Sequence, residues 1–151
     1  MSAICLVDTS VLCEILAVPN MSAEHDAFLA TLTAKLASRE TLILPMTTIL
    51  ETGNHIGQQG DGNARRKTAT AFVRLVKQAI AGDAPFTPTP LFNDEGLLEL
   101  LGEFPEWAKL GSGFGDLTIK KEWERLCEVH PARRVYIWSK DGDLGSYDYE
   151  P

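Results

Sequence analysis

The chain has 151 residues, 44% of them hydrophobic and 23% charged, with a formal net charge of −7. That length is most simply one domain, residues 1–151, with a real core. The acidic balance argues against a generally basic nucleic-acid coat, though not against a local basic stripe.

In chain order, Ala3 to Val7 is a short apolar run that reads as a buried strand of a parallel sheet. Thr9 or Ser10 can cap a helix over Val11 to Leu16, and Pro19-Asn20 breaks it. A second helix is expected from Glu24 to Ser38, with Phe28, Leu29, Leu32 and Leu36 on one face. Thr41 to Leu44 is the second strand. Pro45 ends it, and Thr47 or Thr48 can cap a helix through Glu51 to about Ile56. Gly57 to Asn63 reads as a loop. Arg65 to Ala81 follows as a helix with Ala71, Phe72, Leu75, Val76, Ala79 and Ile80 as its apolar stripe, stopped by Gly82.

Pro85, Pro88 and Pro90 mark an extended segment with a short edge strand at Phe86 to Thr89. Asn93 can cap a helix that turns Leu97, Leu98, Leu100, Leu101 and Phe104 inward. A helix opening at Asp116 runs to about Val129, Val135 to Trp138 is the last strand, and the polar tail from Gly142 to Pro151 is expected to be irregular. The alternation implies an α/β fold with a parallel central sheet and helices on both faces.

Cys5, Cys13 and Cys127 show no Cys-x-x-Cys spacing, so neither a zinc site nor a disulfide framework is expected. No signal segment and no run near ~18 apolar residues is present, so the expectation is a cytoplasmic chain with no membrane span.

Four acids stand at ends of these segments. Asp8 follows the first strand and Asp141 follows the last. Glu51 lies about one and a half helical turns beyond the second strand. Asp116 follows Gly111-Ser112-Gly113-Phe114-Gly115 at a helix start. Each has a plain structural account: a helix cap for Asp8, a helix N-terminus for Asp116, a turn for Asp141, an outer face for Glu51. Together, beyond the carboxyl ends of parallel strands, they would repel one another unless a cation lay among them. Oxygen donors suit a hard ion such as Mg²⁺ or Mn²⁺, and such ions suggest phosphoryl chemistry. Asp143 is an alternative fourth donor to Asp141. Ser10 and Ser139 can orient the carboxylates, and Asn54 can face the site one turn after Glu51. His55, four residues after Glu51, has no further histidine to complete a soft-metal site.

Asp8-Thr9-Ser10-Val11-Leu12 after an N-terminal strand, Glu51 within a helix, Asp116 with Ile119, and Ser139-Lys140-Asp141 resemble, in order and spacing, the motifs of the PIN-domain family, in particular the VapC-like toxins. The resemblance covers nearly the whole chain. It implies a single PIN-like domain acting as a Mg²⁺- or Mn²⁺-dependent endoribonuclease. Asp8, Glu51, Asp116 and Asp141 would be its catalytic and metal-holding residues. It also implies a protein antitoxin over the acidic cleft and pairing of two copies into a homodimer. A degenerate PIN domain that binds metal or nucleic acid without catalysis is the non-enzymatic alternative. A receiver domain or a haloacid-dehalogenase-like phosphatase fits less well: Asp8 has no second acid beside it, and Ser10 stands where the latter needs one. Arg65, Arg66, Lys67 and Arg74, with Lys77, read either as a solvated helix face or as a track for an RNA backbone.

Overall fold

Burial on both faces selects the strands. A computed structural model describes residues 1–151. In it β1 (Ile4–Val7), β2 (Thr41–Pro45), β3 (Phe86–Thr89) and β4 (Val135–Trp138) run parallel in the order β3-β2-β1-β4. Side chains alternate across a strand. Cys5 therefore aligns with Leu42 and Tyr136, and Leu42 with Phe86, on one face. Leu6 aligns with Ile43 and Ile137 on the other.

The first face is covered by α1 (Thr9–Ile15), α2 (His25–Ala37), α3 (Met46–Gln58) and α4 (Gly62–Ala81), through Val11, Leu12, Phe28, Leu32, Ile49, Leu75 and Ala79. The second is covered by α6 (Phe114–Val129) through Ile119, Trp123 and Leu126. Outside it, α5 (Asp94–Lys109) packs on α6, with the Phe104 and Phe114 rings 5.1 Å apart, edge to face. The α/β architecture with a mostly parallel sheet and helices on both faces is thus as expected.

Several local expectations are corrected. The tail is not irregular: it forms a one-turn helix α7 (Gly142–Gly145) and a strand β5 (Asp148–Tyr149) antiparallel to β4. The polar tail residues find distant partners. Arg134 donates twice to Asp148, at 3.0 and 2.8 Å, and the Tyr149 hydroxyl donates to the Pro131 carbonyl at 2.7 Å.

Thr9, Ser10, Thr47 and Thr48 do not cap helices. Asp8 and Pro45 occupy those N-cap positions without a side-chain bond, and Thr48 Oγ1 donates instead to the Val7 carbonyl. The loop at Gly57 to Asn63 is shorter than expected, because α3 continues to Gln58 and α4 begins at Gly62 under an Asp61 cap. Helix α6 begins at Phe114, two residues before Asp116.

Leu97, Leu98 and Leu101 are exposed and Leu100 alone of that set is fully buried, because α5 packs chiefly on α6 and one helix covers only a narrow stripe. Leu29, Leu36, Ala71 and Ile80 are likewise exposed. Gly82 ends α4 in the left-handed region at φ 80°, and Asn93 caps α5.

No helix is long and apolar enough to cross a membrane. The chain passes from β1 to β2 on one side, and β4 lies on the other side of β1. The carboxyl ends of β1 and β4 therefore flank the switch point where open α/β sheets carry their ligands.

Candidate functional site

Asp8 stands at that crevice with 5% of its surface exposed. Its backbone is extended (φ −81°, ψ 161°), and its carbonyl accepts the Val11 and Leu12 amides that start α1. The side chain is thereby released from capping. Its Oδ2 accepts two hydroxyl bonds, from Ser10 at 3.0 Å and from Ser139 at 2.7 Å. Two such bonds on one oxygen fix the rotamer of the carboxylate. Ser139 Oγ also accepts the Asp141 amide at 3.0 Å, and Ser10 Oγ accepts the Lys140 amide at 3.0 Å. The turn after β4 is therefore tied to the turn after β1 through two serines.

Glu51, half-buried on α3, accepts the Thr9 hydroxyl at 3.1 Å on Oε2. Its other oxygen rests against Gly115 so closely that a Cβ there would lie 2.0 Å from Oε1. Beneath it the Thr47 and Thr118 hydroxyls meet at 2.6 Å and join α3 to α6. Asp116 is the third residue of α6, where the helix N-terminus favours its charge. Burial nevertheless pushes its carboxyl up to about 6, aided by the negative charges of Asp8, Glu51 and Asp141. Asp141 caps α7 by accepting the Asp143 amide at 2.8 Å.

Four of the acids read from the sequence thus share one electrostatic neighbourhood. Asp143 is exposed and is not among the charges that act on Asp116. Asn54 is exposed and bonds to none of the acids. Arg65, Arg66, Lys67 and Arg74 lie on α4 and are not among the charges that act on Asp116.

No three of these acids, nor any other set of His, Cys, Asp and Glu, converge closely enough to hold a metal as they stand. Mutual repulsion acts over longer distances than ligation does, so both facts hold together. One oxygen each of Asp8, Glu51 and Asp141 is turned to a protein donor. Asp8 Oδ1, Glu51 Oε1, Asp141 Oδ2 and both oxygens of Asp116 accept no protein hydrogen bond. The donor set is all oxygen and crowded with negative charge, and in both respects it fits a hard divalent ion.

Some participants escape the sequence reading. Thr9 looked like a cap, and only its alignment with α3 turns it to Glu51. Gly115 carries a weak signal, a glycine directly before an acid after a strand-helix loop. Glu14 carries a stronger one, a charge within the apolar run Val11-Leu12-Cys13-Glu14-Ile15. It is fully buried, and its carboxylate accepts Lys140 Nζ at 2.9 Å and the Glu24 amide at 3.0 Å. No protein-family model, curated protein or solved structure matches the chain.

Proposed function

We propose that this chain is a PIN-like, metal-dependent endoribonuclease that hydrolyses RNA phosphodiester bonds at the β1–β4 crevice. One observation carries the reading. A nearly buried aspartate, fixed by two serines at the switch point of the sheet, shares its field with Glu51, Asp116 and Asp141. Structural accounts exist for each acid singly, but none explains why four are drawn together where their charges raise the free energy of the fold.

Asp8, Asp116 and Asp141 would hold a Mg²⁺ or Mn²⁺ ion, with Glu51 beside them. Such an ion, when bound, lowers the pKa of a coordinated water and stabilises charge on a phosphoryl oxygen. Ser10 and Ser139 keep Asp8 oriented. Thr9 holds Glu51 by one oxygen and leaves the other directed at Gly115. From there Glu51 can accept a proton from a nucleophilic water. A toxin role, with an antitoxin seated over the cleft and two copies paired, extends this reading through the resemblance.

The second reading is a binding module without catalysis. It is favoured by the fact that the acids do not close on one another as they stand. Cleavage separates the two. A structured and an unstructured RNA are incubated with Mg²⁺, with Mn²⁺ and with EDTA, using the wild type and Asp8→Asn. Metal-dependent cleavage that a folded Asp8→Asn protein lacks supports the nuclease. Metal-dependent thermal protection with no cleavage across a broad RNA panel supports the binding module.

A further inference from the structure

We propose that the exposed face of α4 is a binding surface for the phosphate backbone of single-stranded RNA. The choice of RNA rests on the reading above, whereas the surface itself is independent of it. Across its 20 residues α4 carries Arg65, Arg66, Lys67, Arg74 and Lys77 and no acid. The chain totals −7, so everything outside this helix sums to −12. Five of the fourteen cations thus share one helix that carries no acid, whereas the other nine are spread among acids over the rest of the chain.

The cations of that helix are also unpaired. Away from α4, Lys35, Lys120, Lys121, Arg125, Arg134 and Lys140 each reach a carboxylate, and Arg133 donates to Ser2 and Thr41. Only Arg39 and Lys109 stand alone there. On α4, Arg65 donates to the Gly60 carbonyl, while Arg66, Lys67, Arg74 and Lys77 reach no carboxylate. Arg74 and Lys77 lie one turn apart, and Arg65, Arg66 and Lys67 are consecutive, so like charges are crowded on this helix without a counter-charge. A polyanion removes that repulsion.

Their geometry is linear. Asn63, Arg66, Lys67, Thr70, Ala71 and Arg74 line a surface trough of about 480 Å³ along one face of the helix. Arg66 and Arg74 are eight residues apart, ~12 Å along the axis at 1.5 Å per residue. A short run of consecutive phosphates spans that length. The only hydrophobic residue in the trough is Ala71. The trough thus offers none of the aromatic or large apolar anchors that protein partners commonly use beside their arginines. A phosphodiester backbone needs cations and hydrogen-bond donors in a row, and the Asn63 amide adds such donors to the guanidinium and ammonium groups.

The test is fluorescence anisotropy of a short labelled single-stranded oligoribonucleotide in EDTA. It compares the wild type, the double variant R66Q/R74Q and the control K109Q, which removes an unpaired cation elsewhere. The wild type and K109Q should bind alike. R66Q/R74Q should bind about tenfold more weakly near 0.1 M salt, with a salt slope shallower by about 1.4, from ~0.7 for each phosphate no longer neutralised. An unchanged slope in R66Q/R74Q, or no RNA binding by the wild type at low salt, overturns the proposal. So does binding of poly-glutamate in place of RNA, which assigns the face to an acidic protein. EDTA separates this result from catalysis: α4-dependent binding in EDTA, together with no cleavage of the RNA panel in Mg²⁺ or Mn²⁺, would remove the nuclease and leave the binding surface in place.

Discussion

Lys140 Nζ lies 2.9 Å from Oε1 of Glu14, a carboxylate with no exposed side-chain surface. The hydrogen bond to Glu14 raises the Lys140 pKa, and Glu24 adds to it from 3.7 Å. Lys140 sits between Ser139 and Asp141, and its own amide donates to Ser10. An ion pair between an exposed lysine and a buried glutamate therefore clamps the turn after β4 onto α1, and with it the serine that orients Asp8.

Removing the lysine leaves Glu14 buried without its counter-charge. Lys140→Met should destabilise the fold by about 2–3 kcal/mol, at the lower end for a broken buried pair because the lysine head reaches solvent. The double variant Lys140→Met with Glu14→Gln should recover most of that. Urea unfolding of the single and double variants is the measurement. No recovery in the double variant would show that the pair is not the link.

Gly115 tests the position of Glu51. A methyl group there would collide with the mobile end of the Glu51 side chain, not with backbone. Gly115→Ala should therefore fold, and the helical alanine can stabilise α6 by up to about 1 kcal/mol. Glu51 must swing away and lose Thr9. If Glu51 serves catalysis, cleavage should fall at least ~10²-fold, within the 10²–10⁴ expected for general-base work. Full activity in a normally folded Gly115→Ala protein would take Glu51 out of the mechanism.

Asp116 sets a pH dependence. Its folded pKa of about 6 stands above the ordinary 3.8. The folded state thus keeps this proton to higher pH than the unfolded chain does. Between about pH 4 and 6 this group therefore lowers stability as pH rises, and its unfavourable contribution is complete above pH 6. Asp116→Asn should be more stable than the wild type at pH 7. The gain is at most about 3 kcal/mol at 1.36 per unit, reduced by solvent screening, and it should vanish near pH 4. Equal stabilities at pH 7 would refute the crowding of the four acids. Millimolar Mg²⁺ should raise the wild-type melting temperature and narrow its gap to Asp116→Asn.

The cysteines give a prediction that needs no function. Burial pushes the Cys5 and Cys13 thiols up to about 11, and Cys127 is the only one of the three not buried. A thiol reagent at pH 8 should modify one thiol, Cys127, in the native protein and all three in denaturant. Rapid reaction of two or three thiols in the folded protein would contradict the core packing.

Much of the fold was written locally. Uninterrupted apolar runs such as Ile4–Val7 and Val135–Trp138 can be buried only on both faces, and that alone implies a parallel sheet between helices. Gly82 and Asn93 mark helix ends through their own conformational preferences. The acids at strand ends, and the acid-free charge of α4, are likewise visible in the order of residues, because topology then carries strand ends to one edge. Other features depend on residues far apart in the chain. Thr9 meets Glu51 across 42 positions, and Lys140 meets Glu14 across 126. The pairing of β5 and the exposure of Leu97, Leu98 and Leu101 follow from what lies alongside each element. Hydrophobic pattern and helix propensity act over a few residues, so the sequence by itself could place the acids at one edge of the sheet. Only packing in three dimensions decided which hydroxyl, glycine and lysine would hold them there.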